Sequence, residues 1–142
     1  MSQIIRDMLE ISRCGVQYRA DNLAPLGLKS IHASYLTEIC ANPGISQDKL
    51  ARLIFINKSN VARQVAVLEE DGYVLRVPSA ADKRVMELYP TEKTLEILPK
   101  ITEMLRCWEE CITHDLTEAE KELLTSLLGK MSTRAGRYME DR

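Results

Sequence analysis

The sequence has no apolar run of about 18 residues, so it predicts no membrane-spanning helix. Its first residues, Met1 to Arg6, lack the pattern of a signal peptide. We therefore expect a cytoplasmic protein that has no membrane partner.

Residues suited to catalysis or metal binding are also scarce. Only two histidines, His32 and His114, are present, and they leave few groups for acid–base chemistry. The sequence contains no glycine-rich phosphate loop, no Gly-x-Ser-x-Gly motif and no metal motif of histidine and carboxylate. We expect a protein that is not an enzyme, with no catalytic residue, no cofactor and no metal site.

The four cysteines are Cys14, Cys40, Cys107 and Cys111. A cytoplasmic location favours reduced thiols. Cys107 and Cys111 share one face of a predicted helix, but two thiolates, with only His114 nearby, are too few for a structural zinc site. We interpret the cysteines as small apolar residues and keep a thiol-based oxidation or metal sensor as the alternative.

The composition indicates one soluble globular domain over residues 1–142, because 45% of the residues are apolar and 28% are charged. The net charge of −2 does not suggest a nucleic-acid partner. Residues 46–88, however, hold seven basic and six acidic side chains, whereas the remainder holds twelve and fifteen. The distribution of charge is thus more informative than its sum.

A helix, a short turn and a second helix are predicted after Asn42-Pro43-Gly44. The first has Ser46 as N-cap and an apolar set of Leu50, Ala51, Leu53 and Ile54. The second has Asn57 as N-cap, buries Val61, Val65 and Leu68, and ends at Gly72. An earlier helix is expected from about Ser30, as N-cap, to Cys40.

Two strands follow, over residues 73–77 and 85–89, joined by a loop whose tip is Asp82-Lys83-Arg84. The fold class is therefore mainly α with a small β-hairpin wing, a winged helix-turn-helix. A helix and a basic loop on one scaffold suit the grooves and backbone of duplex DNA.

Long apolar stripes occur at both ends of the chain. The first twenty residues carry one stripe, and a helix that begins near Thr91 carries another, with Pro99 expected to kink or restart it. A last helix opens with a capping box, Thr117 to Glu120. We expect these stripes to pack against a second copy in a homodimer, the alternative being closure of a monomeric core.

These segments together resemble the MarR family of bacterial transcription regulators over nearly the whole chain. The resemblance rests on Leu26-Gly27-Leu28, Ser46-Gln47-Asp48-Lys49-Leu50-Ala51, Asn57-Lys58-Ser59-Asn60-Val61, Leu68-Glu69-Glu70-Asp71-Gly72-Tyr73-Val74 and the Asp-x-Arg pattern of Asp82-Lys83-Arg84. The family's usual Leu-Thr-x-x-Gly is interrupted after Leu88, at the junction between the wing and the next helix.

The resemblance implies a homodimeric winged helix that binds a pseudo-palindromic operator, with half-sites about 10 bp apart. Residues 30–90 would form the DNA-binding part, and residues 1–22 and 91–142 the dimerisation helices. Many members of the family release DNA when a small molecule or an oxidant acts on them, so we expect a repressor released by an effector.

Five side chains are predicted to face the major groove: Lys58, Ser59, Asn60, Arg63 and Gln64. Arg63 could contact guanine and Asn60 or Gln64 adenine, while Lys58 and Ser59 would contact phosphate.

Two further groups complete the predicted DNA surface. Ser46 and Gln47 would bring a helix N-terminus to phosphate, although capping alone also explains Ser46. Arg84, helped by Lys83, would enter the minor groove, and Asp82 would hold Arg84 or the loop.

An effector site is predicted from Arg13, His32 and Tyr35, which lie along the apolar stripes of their helices and suit a small aromatic carboxylate. The alternative is that Arg13 pairs with Glu10 or Glu38 and that His32 is structural.

Two other functions remain possible on this scaffold. Redox sensors of the family carry a cysteine at a position that aligns near Asp7 rather than Cys14, which weighs against a thiol sensor. A winged helix used only for protein contacts would show no salt-dependent affinity for DNA.

Overall fold

The computed structural model describes all 142 residues. The chain is mainly helical with a small sheet, which confirms the predicted fold class. The elements follow in this order: α1 (Gln3–Leu23), a 3-10 turn (Ala24–Leu26), α2 (His32–Ala41), β1 (Ile45–Ser46), α3 (Gln47–Ile54), α4 (Lys58–Glu70), β2 (Val74–Pro78), β3 (Met86–Pro90), α5 (Glu92–Ile112) and α6 (Glu118–Glu140). The chain forms two compact units, residues 1–105 and 106–142, and the boundary between them lies within α5.

The sheet is antiparallel with strand order β1-β3-β2. The hairpin strands pair Val77 with Glu87 and Val74 with Pro90, and they begin one residue later than predicted. The short strand β1, which pairs Ile45 with Leu88, was not predicted. Two residues are too few to show the alternation by which a strand is identified in a sequence.

The core of the first unit lies where α2, α3, α4 and β3 meet. Its fully buried side chains include Leu36, Ile39, Leu50, Val61, Val65, Leu68 and Leu88. The prediction that Leu53 is buried is wrong, because 48% of this residue is exposed. At 3.6 residues per turn, Leu53 lies roughly 100° around α3 from the mean direction of Leu50, Ala51 and Ile54.

The predicted caps of the two central helices are confirmed. The Ser46 hydroxyl accepts the backbone N–H of Lys49, and the Asn57 side chain accepts that of Asn60. Gly72 ends the second helix with φ at 81°, a conformation that favours glycine.

The expectation that Ser30 caps α2 is wrong. This helix begins at His32, whose ring, rather than a hydroxyl, closes the preceding turn: Nδ1 accepts the backbone N–H of Lys29 at 3.0 Å.

Helix α5 continues through Pro99 and does not restart there. The proline leaves the carbonyl of Leu95 without its helical donor. Both residues are exposed, so water can satisfy that carbonyl. At the start of the helix, the Thr91 hydroxyl donates to the carbonyl of Gly72 at 2.6 Å and accepts the N–H of Thr94 at 3.4 Å. Two hydrogen bonds of Thr91 therefore fix the junction between β3 and α5, where the family's sequence pattern is interrupted.

Exposed apolar residues are concentrated on α1 and α6. Those of α1 are Ile4, Ile5, Met8, Leu9, Ile11 and Val16, and those of α6 are Leu123, Leu124, Leu127, Leu128, Met131, Tyr138 and Met139. The predicted capping box of Thr117 and Glu120 opens α6, which has no buried residue. None of the helices combines the length and the apolar character needed to cross a bilayer.

Candidate nucleic-acid interface

The N-terminal end of α4 lies at the surface and is capped by Asn57. Besides capping the helix, Asn57 Oδ1 accepts the Ser59 hydroxyl at 2.9 Å. The first turn contains no acidic residue, and Glu69 and Glu70 lie at the opposite end. An anion approaching this end of α4 therefore meets free backbone N–H groups and no repelling carboxylate on the helix itself.

Lys58, the first residue of α4, forms an ion pair with Asp48 of α3 at 3.4 Å. Both side chains are mostly exposed, at 69% and 60%, so the pair contributes little to stability. The lysine can exchange this carboxylate for a phosphate at low cost.

Asn60 and Arg63 interact with each other on the exposed face of α4. The Arg63 guanidinium donates to Oδ1 of Asn60, whose backbone N–H is held by the cap. This hydrogen bond competes with the base contacts predicted for the two side chains. The two residues are thus coupled.

Gln64 has a long-range partner in His32, at the start of α2. His32 Nε2 lies 2.8 Å from Gln64 Oε1. The histidine is buried, and burial lowers its pKa from the ordinary value of 6.5, with the hydrogen bond to Gln64 opposing the shift. Gln64 itself is half-buried, which sets it apart from the more exposed Arg63.

Gln47, at the start of α3, is tied to the wing. Its side-chain oxygen accepts from Nη1 of Arg76 at 3.3 Å, and Nη2 of the same arginine lies 3.2 Å from Glu69 Oε1. Arg76 on β2 thereby links the first turn of α3, the last turn of α4 and the hairpin. Arg76 was not among the residues predicted from the sequence. Its place between Leu75 and Val77 puts it on the face of β2 opposite to theirs.

The tip of the wing has an internal ion pair. Arg84 Nε and Nη2 donate to the two carboxylate oxygens of Asp82 at 3.1 and 3.2 Å, and its backbone N–H donates to Oδ1 at 3.1 Å. These hydrogen bonds hold the pKa of the Asp82 carboxyl below its ordinary value. Lys83 and Arg84 are both exposed, so the tip presents two cations to solvent, one of them held by Asp82.

Three comparisons with known proteins bear on this arrangement. A family model described as MarR family matches residues 26–85. A solved structure of a MarR protein from Peptoclostridium difficile is 31% identical, with a TM-score of 0.94 over 96% of this chain and 90% of that one. This chain belongs to the MarR family.

Two further relatives agree with this assignment. An HTH-type transcriptional regulator of Bacillus subtilis, YybA, is 29% identical over an alignment of 136 positions that covers 92% of this chain and 87% of that protein. A MarR family regulator from Listeria monocytogenes, solved in complex with 26mer DNA, is 28% identical with a TM-score of 0.91 over 96% of this chain and 91% of that one. This member of the MarR family is a DNA-binding transcription regulator and not an enzyme.

The structure places the three residues of the predicted effector site in different surroundings. Arg13 is exposed, donates to the backbone carbonyl of Leu9 at 3.3 Å, and pairs with neither Glu10 nor Glu38. Both ring nitrogens of His32 are already engaged, by Lys29 and Gln64. His32 therefore fits the structural alternative rather than the role of a ligand-binding side chain.

Tyr35, on α2, is fully buried. Its ring meets that of His32 edge to face, with centroids 6.3 Å apart. Burial raises the pKa of its phenol, and its hydroxyl has no hydrogen-bond partner. The Tyr35 side chain is part of the hydrophobic core, together with Leu36 and Ile39 of the same helix.

A cavity of about 590 Å³ opens between α1, α2 and α5. Its lining includes Val16, Arg19, Ile31, Thr37, Glu38 and Leu105. The hydroxyl of Thr37 is buried without a hydrogen-bond partner. Arg19 was not among the residues predicted from the sequence, although it lies three residues after Val16 and four before Leu23 on the same stripe as Arg13.

The thiols differ in their surroundings. Cys14, Cys107 and Cys111 are exposed, and no disulfide joins any of the four cysteines. Burial raises the pKa of the Cys40 thiol, which makes its thiolate scarce at neutral pH.

Proposed function

We propose that this regulator binds a pseudo-palindromic operator as a homodimer and acts as a repressor that a small effector releases. The observation that carries the proposal is the reading surface just described. The capped, acid-free end of α4 and the cationic tip of the wing belong to one winged helix-turn-helix. A helix and a loop of this kind are the two parts that commonly enter neighbouring grooves of DNA.

In the proposed complex α4 lies in the major groove. Arg63 contacts guanine and Asn60 contacts adenine, once the hydrogen bond between the two side chains has opened. Ser59 and Lys58 bind phosphate, the lysine after it leaves Asp48. Such contacts neutralise phosphates, so the affinity should fall steeply as salt is raised.

The remaining contacts position the protein on the backbone. Ser46 keeps its cap on α3, and the N–H groups at that helix end bind phosphate together with Gln47. Arg76 fixes the side chain of Gln47 and aligns the wing with α3. Lys83 and Arg84 then bind along the minor groove, where Asp82 orients the arginine.

The homodimer is supported by the uncovered stripes of α1 and α6. Contiguous exposed apolar surface of this kind is characteristic of an interface. We infer that a second copy covers both stripes, with residues 1–22 and 91–142 as dimerisation segments. Two identical reading heads then require inverted half-sites about 10 bp apart.

Selection of bound sequences from random duplexes, followed by affinity measurements at several salt concentrations, tests the proposal. We expect an inverted repeat, and an affinity for it at least about a thousandfold above that for bulk DNA. Equal binding to all sequences would contradict the proposal. For the repressor role, transcription from a promoter that overlaps the site should fall when the protein is added.

For the effector we propose the cavity between α1, α2 and α5. Its volume is in the range of small-ligand sites, and Arg19 supplies the cation that a carboxylate needs. Glu38 also lines the cavity, and its negative charge would repel the ligand's carboxylate, so the carboxylate is expected on the Arg19 side. Salicylate is a suitable probe for an aromatic acid.

Arg19→Ala should raise the salicylate concentration needed to release DNA by about tenfold or more, as expected when a hydrogen bond to a charged group is lost. Arg13→Ala, on the same helix but outside the cavity, is the matched control and should leave that salicylate concentration unchanged. An effect of Arg13→Ala without one of Arg19→Ala would return the site to the residues predicted from the sequence.

A further inference from the structure

The hydrogen bonds of His32 fix the position of its proton. The backbone N–H of Lys29 points at Nδ1 from 3.0 Å, and a backbone amide can only donate. Nδ1 is therefore the acceptor and carries no proton. An imidazole whose Nδ1 carries no proton is neutral, so the single proton of this buried ring lies on Nε2.

This tautomer in turn fixes the amide of Gln64. Nε2 donates, and the atom 2.8 Å from it must accept, which only the amide oxygen can do. The opposite amide orientation would bring two N–H groups face to face. Gln64 thus turns its oxygen inward to His32, and its nitrogen, which has no hydrogen-bond partner in the chain, points the other way.

Gln64 follows Asn60 by one helical turn and directly follows Arg63 on the helix proposed to read the major groove. A bidentate contact to adenine needs both amide atoms directed at the base. Because the oxygen is turned toward His32, the two amide hydrogens are the groups left to face DNA. Those donors match the two acceptors of guanine, O6 and N7, and the O4 acceptor of thymine. Adenine offers one acceptor, N7, beside an amino group that repels the donors, and cytosine offers only an amino group.

We propose that His32 is a positioning residue for base selection, which makes Gln64 a hydrogen-bond donor that favours guanine or thymine at one position of each half-site. This inference rests on the proposed function, in which α4 reads the major groove. It replaces the expectation that Gln64 reads adenine.

The test uses the full-length protein and its selected operator. Affinities are measured for all four bases at each half-site position, with the parent, Gln64→Ala, His32→Phe and the double variant. The position that loses its preference in Gln64→Ala is the one that Gln64 reads. At that position the parent should favour guanine or thymine by about fivefold or more.

His32→Phe keeps a buried ring but lacks the donor, so the amide can turn and this preference should fall to near equality. In the Gln64→Ala background the same change should leave base preference unaltered, because His32 acts through Gln64. A merely structural role would weaken binding to all bases alike. Adenine as the preferred base, no Gln64-dependent position, or an equal effect of His32→Phe in both backgrounds would overturn the inference.

If His32→Phe fails to fold, nitrogen NMR of the parent decides the matter. The inference requires a neutral ring with an unprotonated Nδ1, and a protonated Nδ1 at neutral pH would overturn it. Failure of the proposed function is distinguishable, because the parent would then bind all duplexes equally while its NMR spectrum still reported the tautomer.

Discussion

Replacement of Arg84 with alanine removes a side chain that is 91% exposed and hydrogen bonded only to Asp82. The free energy of unfolding should therefore change by no more than about 0.5 kcal/mol. Binding to DNA should change much more. If Arg84 neutralises one phosphate from its place along the minor groove, its loss from two subunits should make the slope of log affinity against log salt less steep by about 1.8.

Asp82→Ala separates the two roles that Asp82 could have at the tip. If the carboxylate merely repels DNA, its removal should tighten binding. In water that repulsion is weak, and salt reduces it further. Release of the Arg84 side chain costs about 0.5–1.5 kcal/mol on binding, so it outweighs the repulsion.

We therefore expect Asp82→Ala to weaken binding about two- to tenfold per subunit without the change of salt slope shown by Arg84→Ala. Asp82→Asn, which can still accept the backbone N–H of Arg84, should fall between the parent and Asp82→Ala. Fluorescence anisotropy with labelled operator across a salt series measures both quantities. Unchanged or tighter binding by Asp82→Ala would refute the role assigned to this residue.

Three further predictions concern the scaffold. Leu68→Ala should lower the free energy of unfolding by about 2–5 kcal/mol in a urea titration, because Leu68 is fully buried, and a loss below about 1 kcal/mol would contradict this. Thr117→Ala should cost the first turn of α6 about 1 kcal/mol, seen as faster amide exchange at Glu120. Because the pKa of His32 is lowered, the unfolded state takes up its proton first, so stability should decline as the pH falls below 6.5, and a rise there would be the wrong sign.

Features that depend on short stretches of chain were predictable from the sequence. Ser46 and Asn57 cap helices by bonding to residues three positions ahead. The contact between Asp82 and Arg84 spans two residues. In each case the residue types and their spacing already determine which groups can meet.

Pairings between distant segments were not predictable. His32 and Gln64 are 32 residues apart, and Arg76 reaches Gln47 over 29. Such contacts depend on how α2, α4 and the sheet pack, which no local pattern reports. Arg13 lies on the apolar stripe of α1 and is exposed, because a helical stripe shows which side chains share a face but not what covers that face.

The separation of the half-sites tests the central claim most directly. Affinity is measured for the selected operator and for a version with a half-turn, about 5 bp, inserted between its halves. A dimer with two fixed reading heads predicts that the insertion places one half-site on the opposite side of the helix and reduces the affinity toward that of a single half-site. Equal affinity for both duplexes would contradict the account.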